Sequence, residues 1–108
     1  MSWVSPSGAK SSFEMPRFDL IYAPFLRRLA ERLGYGAKKH GEDNYRSGAG
    51  DAAYLRDRRN HIQEHLLKYD AAETKADKLK HLAAITCNAM MLDYLIDHEF
   101  DHEPEDKR

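Results

Sequence analysis

Three polar side chains recur along one face of a C-terminal segment that otherwise reads as an apolar helix. Asp77, His81 and Asn88 are four and then seven residues apart, so at about 100° per residue they fall within roughly 40° of one another. Met91 and Leu95 continue this stripe, which therefore borders apolar surface. A buried imidazole or amide costs stability unless it is hydrogen-bonded. The stripe is the best candidate for a site, with a purely structural histidine and asparagine as the alternative.

A second pair of potential ligands lies on the preceding helical segment. His61 and Glu64 are three residues apart on a polar stripe. Inward-facing carboxylates and imidazoles of neighbouring helices commonly bind metal in helical bundles. Across a helical hairpin, His61 and Glu64 would face Asp77 and His81 and hold a divalent ion between two helices. The alternative is a solvated face stabilised by ion pairs between residues four apart.

Residues 36–50 contain four glycines and are otherwise mostly polar, which predicts a loop with a functional role. Lys38 and Lys39 make this segment cationic, and its glycines let an anion approach the backbone, so phosphate is the expected ligand. Alternatively, the two lysines complement the C-terminal dipole of the preceding helix. Asn44 and Tyr45 are suited to hydrogen-bonding and stacking a base, although the tyrosine could equally be a packing residue of the hydrophobic core.

Three helices are predicted to position these residues. The first runs for about twelve to fourteen residues from Tyr22, with Gly34 and Gly36 as its stop signal. The second begins at Asp51, which can cap it, and runs to about Tyr69. The link that follows is short, which predicts an antiparallel return.

The third helix is predicted to begin at Thr74, whose spacing to Asp77 is that of a capping box, and to run to about Phe100. Its expected core face consists of Leu79, Leu82, Ile85, Ala89, Leu92 and Ile96. Because no segment alternates with the period of two that strands require, the predicted class is all-α. The prediction is a small bundle of three main helices.

The predicted organisation is an irregular arm at residues 1–16, one all-α domain at residues 17–100 and a charged tail at residues 101–108. A chain of 108 residues buries a modest core by itself, so oligomerisation is expected to complete it. The 17 basic and 18 acidic residues nearly cancel, which gives no electrostatic case for nucleic acid or a membrane surface.

The cysteine and histidine residues bear on the cellular location of the protein and on a possible zinc site. One cysteine, Cys87, cannot form an internal disulfide, and with no signal-like or membrane-spanning segment the sequence predicts a cytoplasmic protein. The pairs His61/His65 and His98/His102 have the spacing of transition-metal ligands, which leaves a zinc-stabilised module as a further alternative. Isolated pairs of this kind are weak indicators.

Several strings together resemble a known family. They are Arg17-Phe-Asp-Leu-Ile, Tyr35-Gly-Ala-Lys-Lys-His-Gly, Asn44-Tyr45, His61-Ile62 and His81-Leu-Ala-Ala-x-x-x-Asn88-Ala-Met. In this order they resemble the phage and bacterial dATP/dGTP diphosphohydrolases, which are MazG-like and belong with the all-α NTP pyrophosphohydrolases. The resemblance covers about residues 17–96.

The resemblance implies an enzyme that cleaves dGTP or dATP to the monophosphate and pyrophosphate with Mg²⁺ or Mn²⁺. It implies a homodimer or homotetramer and, in a phage, a role in remodelling the host's purine deoxynucleotide pool. The residues expected at the site are Glu64 and His81 for catalysis, His61, Glu64, Asp77 and His81 for metal, and Lys38, Lys39, Asn44, Tyr45 and Asn88 for nucleotide.

The sequence departs from the MazG pattern at the metal ligands. MazG-type enzymes carry Glu-Glu-x-x-Glu on one helix and Glu-x-x-Asp on the next, and neither string occurs here in full. His61-x-x-Glu64 stands near the first position, and Asp77 with His81 stands near the second. Asp57 or Glu42 could replace one of these four ligands. The departure supports an alternative function, a helical module that binds a nucleotide or a protein without chemistry.

Overall fold

Three helices form the body of the protein in the computed structural model, which describes residues 2–4, 6–8, 10–12 and 16–99. They are α1 (Ala23–His40), α2 (Ala52–Ala71) and α3 (Lys75–Asp97). Short 3-10 helices at Phe18–Leu20 and Asn44–Gly48 precede α1 and α2. The predicted all-α class and the number of main helices are confirmed. No helix in the described part of the chain has the length and apolar character needed to cross a bilayer.

The N-terminal segment contains a small β-hairpin. Strand β1 (Ser2–Val4) pairs antiparallel with β2 (Lys10–Ser12), and Trp3 lies opposite Ser11. The prediction of irregular structure over residues 1–16 is therefore wrong for these two strands. Strands of three residues are too short to show a hydrophobic period, so the sequence pattern carries no sign of them.

Helix α1 is longer than predicted because its two glycines do not stop it. Gly34 and Gly36 lie inside the helix, where glycine costs about 1 kcal/mol relative to alanine without breaking the hydrogen-bond ladder. The helix ends instead at Gly41, which has the positive φ of 98° that an L side chain rarely adopts. Lys38 and Lys39 consequently belong to the last helical turn, where they complement the helix dipole.

The predicted caps of α2 and α3 are confirmed. Asp51 Oδ1 accepts hydrogen bonds from the backbone N–H groups of Ala53 and Tyr54, at 3.0 and 3.2 Å. Thr74 Oγ1 accepts one from the backbone N–H of Asp77, at 3.1 Å. Each cap satisfies backbone donors that the first helical turn leaves free, which is why these residues start helices here.

Helices α2 and α3 form the expected antiparallel hairpin. Side-chain contacts pair Tyr69 with Lys78, His65 with His81, and Arg58 with Asn88. These pairs advance along the two helices in opposite directions. The hairpin register is thus fixed by polar side chains as well as by apolar packing.

The buried face of α3 differs from the one predicted. Its buried residues are Ala83, Ala84, Cys87, Asn88 and Leu95. Leu82 and Ile96, two members of the predicted core face, are 39 % and 56 % exposed. α3 contacts both α1 and α2, and the small residues at 83 and 84 admit that packing more closely than leucines would. The end of α3 predicted at Phe100 and the tail at 101–108 lie beyond its observed end at Asp97 or outside the described residues.

Helices α1 and α2 both pack against α3 and make far less contact with each other. Two cavities are lined by residues of all three helices. Besides α1, one is lined by the C-terminal half of α2 and the first half of α3, and the other by the beginning of α2 and the C-terminal half of α3.

Candidate functional site

The larger cavity, of about 780 Å³, has a strongly cationic lining, and we call it the cationic cavity. All three helices contribute basic side chains to it: Arg28, Arg32 and Lys39 from α1, Lys68 from α2 and Lys80 from α3. His65 and His81 also line it, and Glu31 is the one acidic residue among its lining. Such an excess of positive charge in a partly enclosed space favours an anionic ligand.

Few of these cations have an acidic partner. Among the described residues, no carboxylate lies within ion-pair distance of Arg28, Arg32 or Lys80, whereas Lys68 Nζ lies 3.4 Å from Glu64 Oε2. The one acidic lining residue, Glu31, pairs at 3.5 Å with Arg27, which is outside the cavity. The positive charge of the cavity is thus largely unneutralised by the protein.

Two histidines meet at the wall of the cationic cavity. His65 Nδ1 and His81 Nδ1 are 3.0 Å apart, so one ring donates its hydrogen to the other. Burial lowers the pKa of His65, and the positive charges of Arg32, His81 and Lys68 lower it further, against an opposing effect of Glu64. The ring that donates its hydrogen through Nδ1 keeps its Nε2 as a basic atom, which can accept a proton from a water molecule.

The second cavity, of about 480 Å³, is bounded by the loop after α1, and we call it the loop cavity. Its lining includes Asn44, Tyr45 and Arg58 together with Met90 and Met91. Polarisable methionines beside an amide and an aromatic ring suit a flat, partly polar ligand.

The two cavities are lined by residues from the same turns of α1. Tyr35 and Lys39 line the cationic cavity, whereas Gly36 and His40 line the loop cavity. One helix segment therefore presents a charged side to the first space and a small, glycine-containing side to the second.

Asn88 contacts Arg58, which lines the loop cavity. It is 6 % exposed, its Oδ1 accepts a hydrogen bond from Arg58 Nη1 at 3.1 Å, and its Nδ2 donates to the Ala84 carbonyl at 2.9 Å. Arg58 also donates to Asp57 at 2.9 Å and lies over the Tyr54 ring. Asn88, predicted to orient nucleotide or a ligating group, thus holds Arg58 in place.

Tyr45 is packed against the end of α3. Its ring meets Tyr94 edge-on with centroids 5.5 Å apart, and Arg46 lies over both rings. This contact agrees with the alternative that Tyr45 is a packing residue of the hydrophobic core. Tyr45 also lines the loop cavity. Asn44 is exposed at the start of the 3-10 helix, and its backbone carbonyl accepts from Ser47 Oγ.

The expected metal ligands are spread over three places. His61 lies within 3.5 Å of both Asp57 and Glu64 in a ladder of charges along α2, Asp77 occupies the exposed first turn of α3, and His81 contacts His65. In the described part of the chain, no three His, Cys, Asp or Glu side chains are grouped closely enough to hold an ion. A resident four-ligand site within one chain does not fit these residues.

Protonation at α2 follows from that ladder. The hydrogen bond from Lys68 lowers the pKa of Glu64, and that from Arg58 lowers the pKa of Asp57, so both carboxyl groups remain charged at neutral pH.

The partner of His98 in the proposed zinc pair, His102, lies outside the described residues. Burial raises the pKa of the Cys87 thiol, which keeps it protonated and a poor nucleophile.

Five lining residues of the cationic cavity are absent from the predicted catalytic, metal and nucleotide sites, although His65 is a member of the histidine pair considered for zinc. They are Arg28, Arg32, Lys68, Lys80 and His65. Arg28, Arg32 and Lys39 form a basic stripe at helical spacing, which becomes visible once α1 is allowed to continue through Gly34 and Gly36. Of the predicted nucleotide contacts, Lys39 lines the cationic cavity, Asn44 and Tyr45 line the loop cavity, and Lys38 is exposed in the last turn of α1.

Comparison with protein families gives one match over nearly the whole chain. The sequence model of a family described as dATP/dGTP diphosphohydrolase, N-terminal, matches residues 5–107. No curated protein and no solved structure matches the chain.

Proposed function

Because the chain belongs to the family described as dATP/dGTP diphosphohydrolase, N-terminal, we propose that it hydrolyses a purine deoxynucleoside triphosphate to the monophosphate and pyrophosphate. The observation that carries this proposal is the position of the cationic cavity beside the loop cavity on neighbouring turns of α1. The first suits a triphosphate, and the second suits a base. The substrate is dGTP or dATP.

The reaction is attack of water on the α-phosphorus, with the bond from that phosphorus to the bridging oxygen breaking and pyrophosphate leaving. His81, with its tautomer set by His65, accepts the proton of the attacking water. Lys39 and the guanidinium groups of Arg28 and Arg32 stabilise the negative charge that develops on the leaving pyrophosphate. In the loop cavity, Asn44 and Tyr45 contact the base.

A divalent ion is proposed to enter with the substrate. Mg²⁺ and Mn²⁺ bound to a triphosphate need only one or two protein carboxylates, because phosphate oxygens and water complete the coordination. Glu64 forms an ion pair with Lys68, which lines the cationic cavity, whereas the lining residue Glu31 is paired with Arg27. Glu64 therefore takes this role together with its proposed part in catalysis. The ion would supply Lewis-acid polarisation of the phosphoryl group that is attacked.

The test is to incubate the purified protein with dGTP or dATP and Mn²⁺ and to measure pyrophosphate and monophosphate. We expect both products in equal amounts. Release of orthophosphate alone, or no turnover, would exclude the proposal. His81→Asn is expected to lower the turnover number by at least about a hundredfold, in the range of a lost general base.

Glu64→Gln is the second variant, matched with Glu73→Gln in the exposed link between α2 and α3. Glu64→Gln should reduce turnover and weaken its dependence on Mn²⁺, while Glu73→Gln should behave as the unchanged protein. Equal effects of the two substitutions would remove Glu64 from the site.

A non-catalytic nucleotide-binding module is the competing function. Two observations favour it: the family match concerns an N-terminal region, and the described residues lack a grouped metal-ligand set. A binding module would take up dGTP in a calorimetric titration without producing pyrophosphate. Turnover of dGTP that is lost in His81→Asn would decide against it.

The active form is proposed to be a homodimer or homotetramer. Its support is the amount of apolar side chain that a single chain leaves in water, including Leu67 at 71 % and Ile96 at 56 % exposure. In a phage, the reaction would reshape the purine deoxynucleotide pool of the host.

A further inference from the structure

We propose that the cationic cavity binds inorganic polyphosphate, as pyrophosphate or tripolyphosphate, through Arg28, Arg32 and Lys80 without a divalent metal ion. The inference rests on the proposed function in one respect, since pyrophosphate is the product of that reaction. It goes further in assigning a ligand that has no nucleoside and needs no metal.

The first step of the argument is the unpaired charge. Among the described residues, the ion pairs do not include Arg28, Arg32 or Lys80. Like charges gathered in a partly enclosed cavity repel one another. An anion of high charge density removes this repulsion, and the gain is largest where several cations converge.

The second step is the arrangement of the cations on separate helices. Arg28 and Arg32 lie one turn apart on α1 and are half-buried, while Lys80 comes from α3 and Lys68 from α2. A single phosphate reaches only some of the cations that three helices present around a cavity of about 780 Å³. A chain of two or three phosphates offers several anionic groups, and each guanidinium can bind one through two parallel hydrogen bonds.

The third step concerns the metal ion. A divalent cation bound to a triphosphate neutralises part of its negative charge. Here five Lys and Arg side chains line the cavity against one acidic residue, and the described residues offer no grouped set of metal ligands. Protein cations therefore take over the neutralisation of the phosphate chain.

The net charge of the whole chain restricts the class of anion. At −1 it provides no extended positive field beyond the cavity, which a nucleic-acid backbone would require. A short, densely charged anion fits better. Because pyrophosphate would occupy the position of the leaving group, it is expected to compete with the nucleotide substrate.

The experiment is calorimetric titration of the full chain with tripolyphosphate and with pyrophosphate in excess EDTA. We expect saturable binding with one site per chain, weakened by added KCl because the contacts are ionic. Sulfate at equal ionic strength should bind far more weakly, since it has a single anionic centre.

Arg32→Gln and Lys80→Gln are the informative variants, and Arg59→Gln on the exposed surface of α2 is the matched control. Each of the first two should weaken tripolyphosphate binding by about tenfold or more, the range of a lost charge-assisted contact. Arg59→Gln should bind as the unchanged protein does. Circular dichroism of each variant verifies that it is folded.

Four results would overturn the inference. They are binding that requires added Mn²⁺, equal affinity in Arg32→Gln and Arg59→Gln, full displacement by sulfate at equal ionic strength, and displacement by single-stranded DNA at equal phosphate concentration. Failure of the proposed function is recognised separately. Polyphosphate binding in EDTA without dGTP turnover would reject the enzyme and retain the site, whereas turnover without such binding would do the reverse.

Discussion

Asn88 shows how a single buried amide ties two helices together. Its carboxamide oxygen accepts from Arg58 of α2, and its nitrogen donates to the Ala84 carbonyl of α3. Arg58 Nε is itself buried, without a hydrogen-bond partner among the described residues. The guanidinium depends on Asn88, Asp57 and the Tyr54 ring for its position.

Asn88→Ala is expected to lower the free energy of unfolding by about 1 to 3 kcal/mol, the cost of leaving a buried charged donor without its acceptor. Urea denaturation measures it. Asn60→Ala, on the exposed side of α2, is the control and should change stability by less than about 0.5 kcal/mol. Equal stabilities of the two variants would show that Arg58 finds other partners.

His65 makes stability depend on pH. Its pKa is lowered first by burial and then by Arg32, His81 and Lys68, with Glu64 opposing. In the unfolded chain a histidine titrates near 6.5. Between that value and the lower folded value, the unfolded state binds more protons, so the free energy of unfolding falls as pH decreases through about 6.5 and levels off below the folded pKa.

Urea denaturation between pH 7.5 and pH 5 tests this dependence. His65→Asn should flatten the decline, whereas His40→Asn at the exposed end of α1 should leave it in place. Asp57 and Glu64 have lowered pKa values, so their stabilising contributions are lost only at lower pH, outside this window. A decline that persists unchanged in His65→Asn would assign it to other groups.

At the scale of elements, the continuation of α1 through two glycines decides what the site contains. The helix must reach His40 for Lys39 and Tyr35 to join Arg28 and Arg32 at the cationic cavity. Packing of α1 on α3 supplies the stabilisation that the glycines withhold, since tertiary contacts rather than intrinsic propensity stabilise most helices.

Opposite signs are expected for two glycine substitutions in this helix. Gly34→Ala should raise the free energy of unfolding by up to about 1 kcal/mol, because the position is helical and an added Cβ meets nothing within 4 Å. Gly41→Ala should lower it by about 1 kcal/mol, because its φ is +98°. Urea denaturation of both decides the matter. Destabilisation by Gly34→Ala would mean that the helix ends there, as the sequence pattern predicts.

At the scale of the whole molecule, the described part of the chain exposes many large apolar side chains. The largest exposed group precedes and begins α1, and others lie on α2 and α3. It comprises Phe18, Leu20, Ile21, Tyr22, Phe25 and Leu26. In the proposed oligomer, a second copy of the chain would cover these apolar side chains.

The double variant Leu82→Glu/Ile96→Glu tests the outward face of α3. We expect a lower molar mass by light scattering than that of the unchanged protein, because buried carboxylates would oppose association. Lys75→Glu, which changes the net charge equally, is the control. An unchanged mass in the double variant would place the interface elsewhere, and a monomeric unchanged protein would reject oligomerisation.

The local features of the fold are readable in the sequence. Asp51 and Thr74 begin helices because their side chains bond to backbone within the next three residues, and helical periodicity needs no distant partner. The stripe of His81 and Asn88 is identifiable for the same reason, since one helix places both on one face. The family match over residues 5–107 likewise depends on the sequence alone.

Only the tertiary structure decides which partners those side chains meet. His81 contacts His65 rather than His61, and Asn88 holds Arg58, because the rotation of α2 against α3 sets the register. The cationic cavity needs basic residues from three helices, whose convergence follows from the joint packing of α1 and α2 on α3. Periodicity gives each helix its faces, but the energy that selects among them comes from contacts distant in sequence.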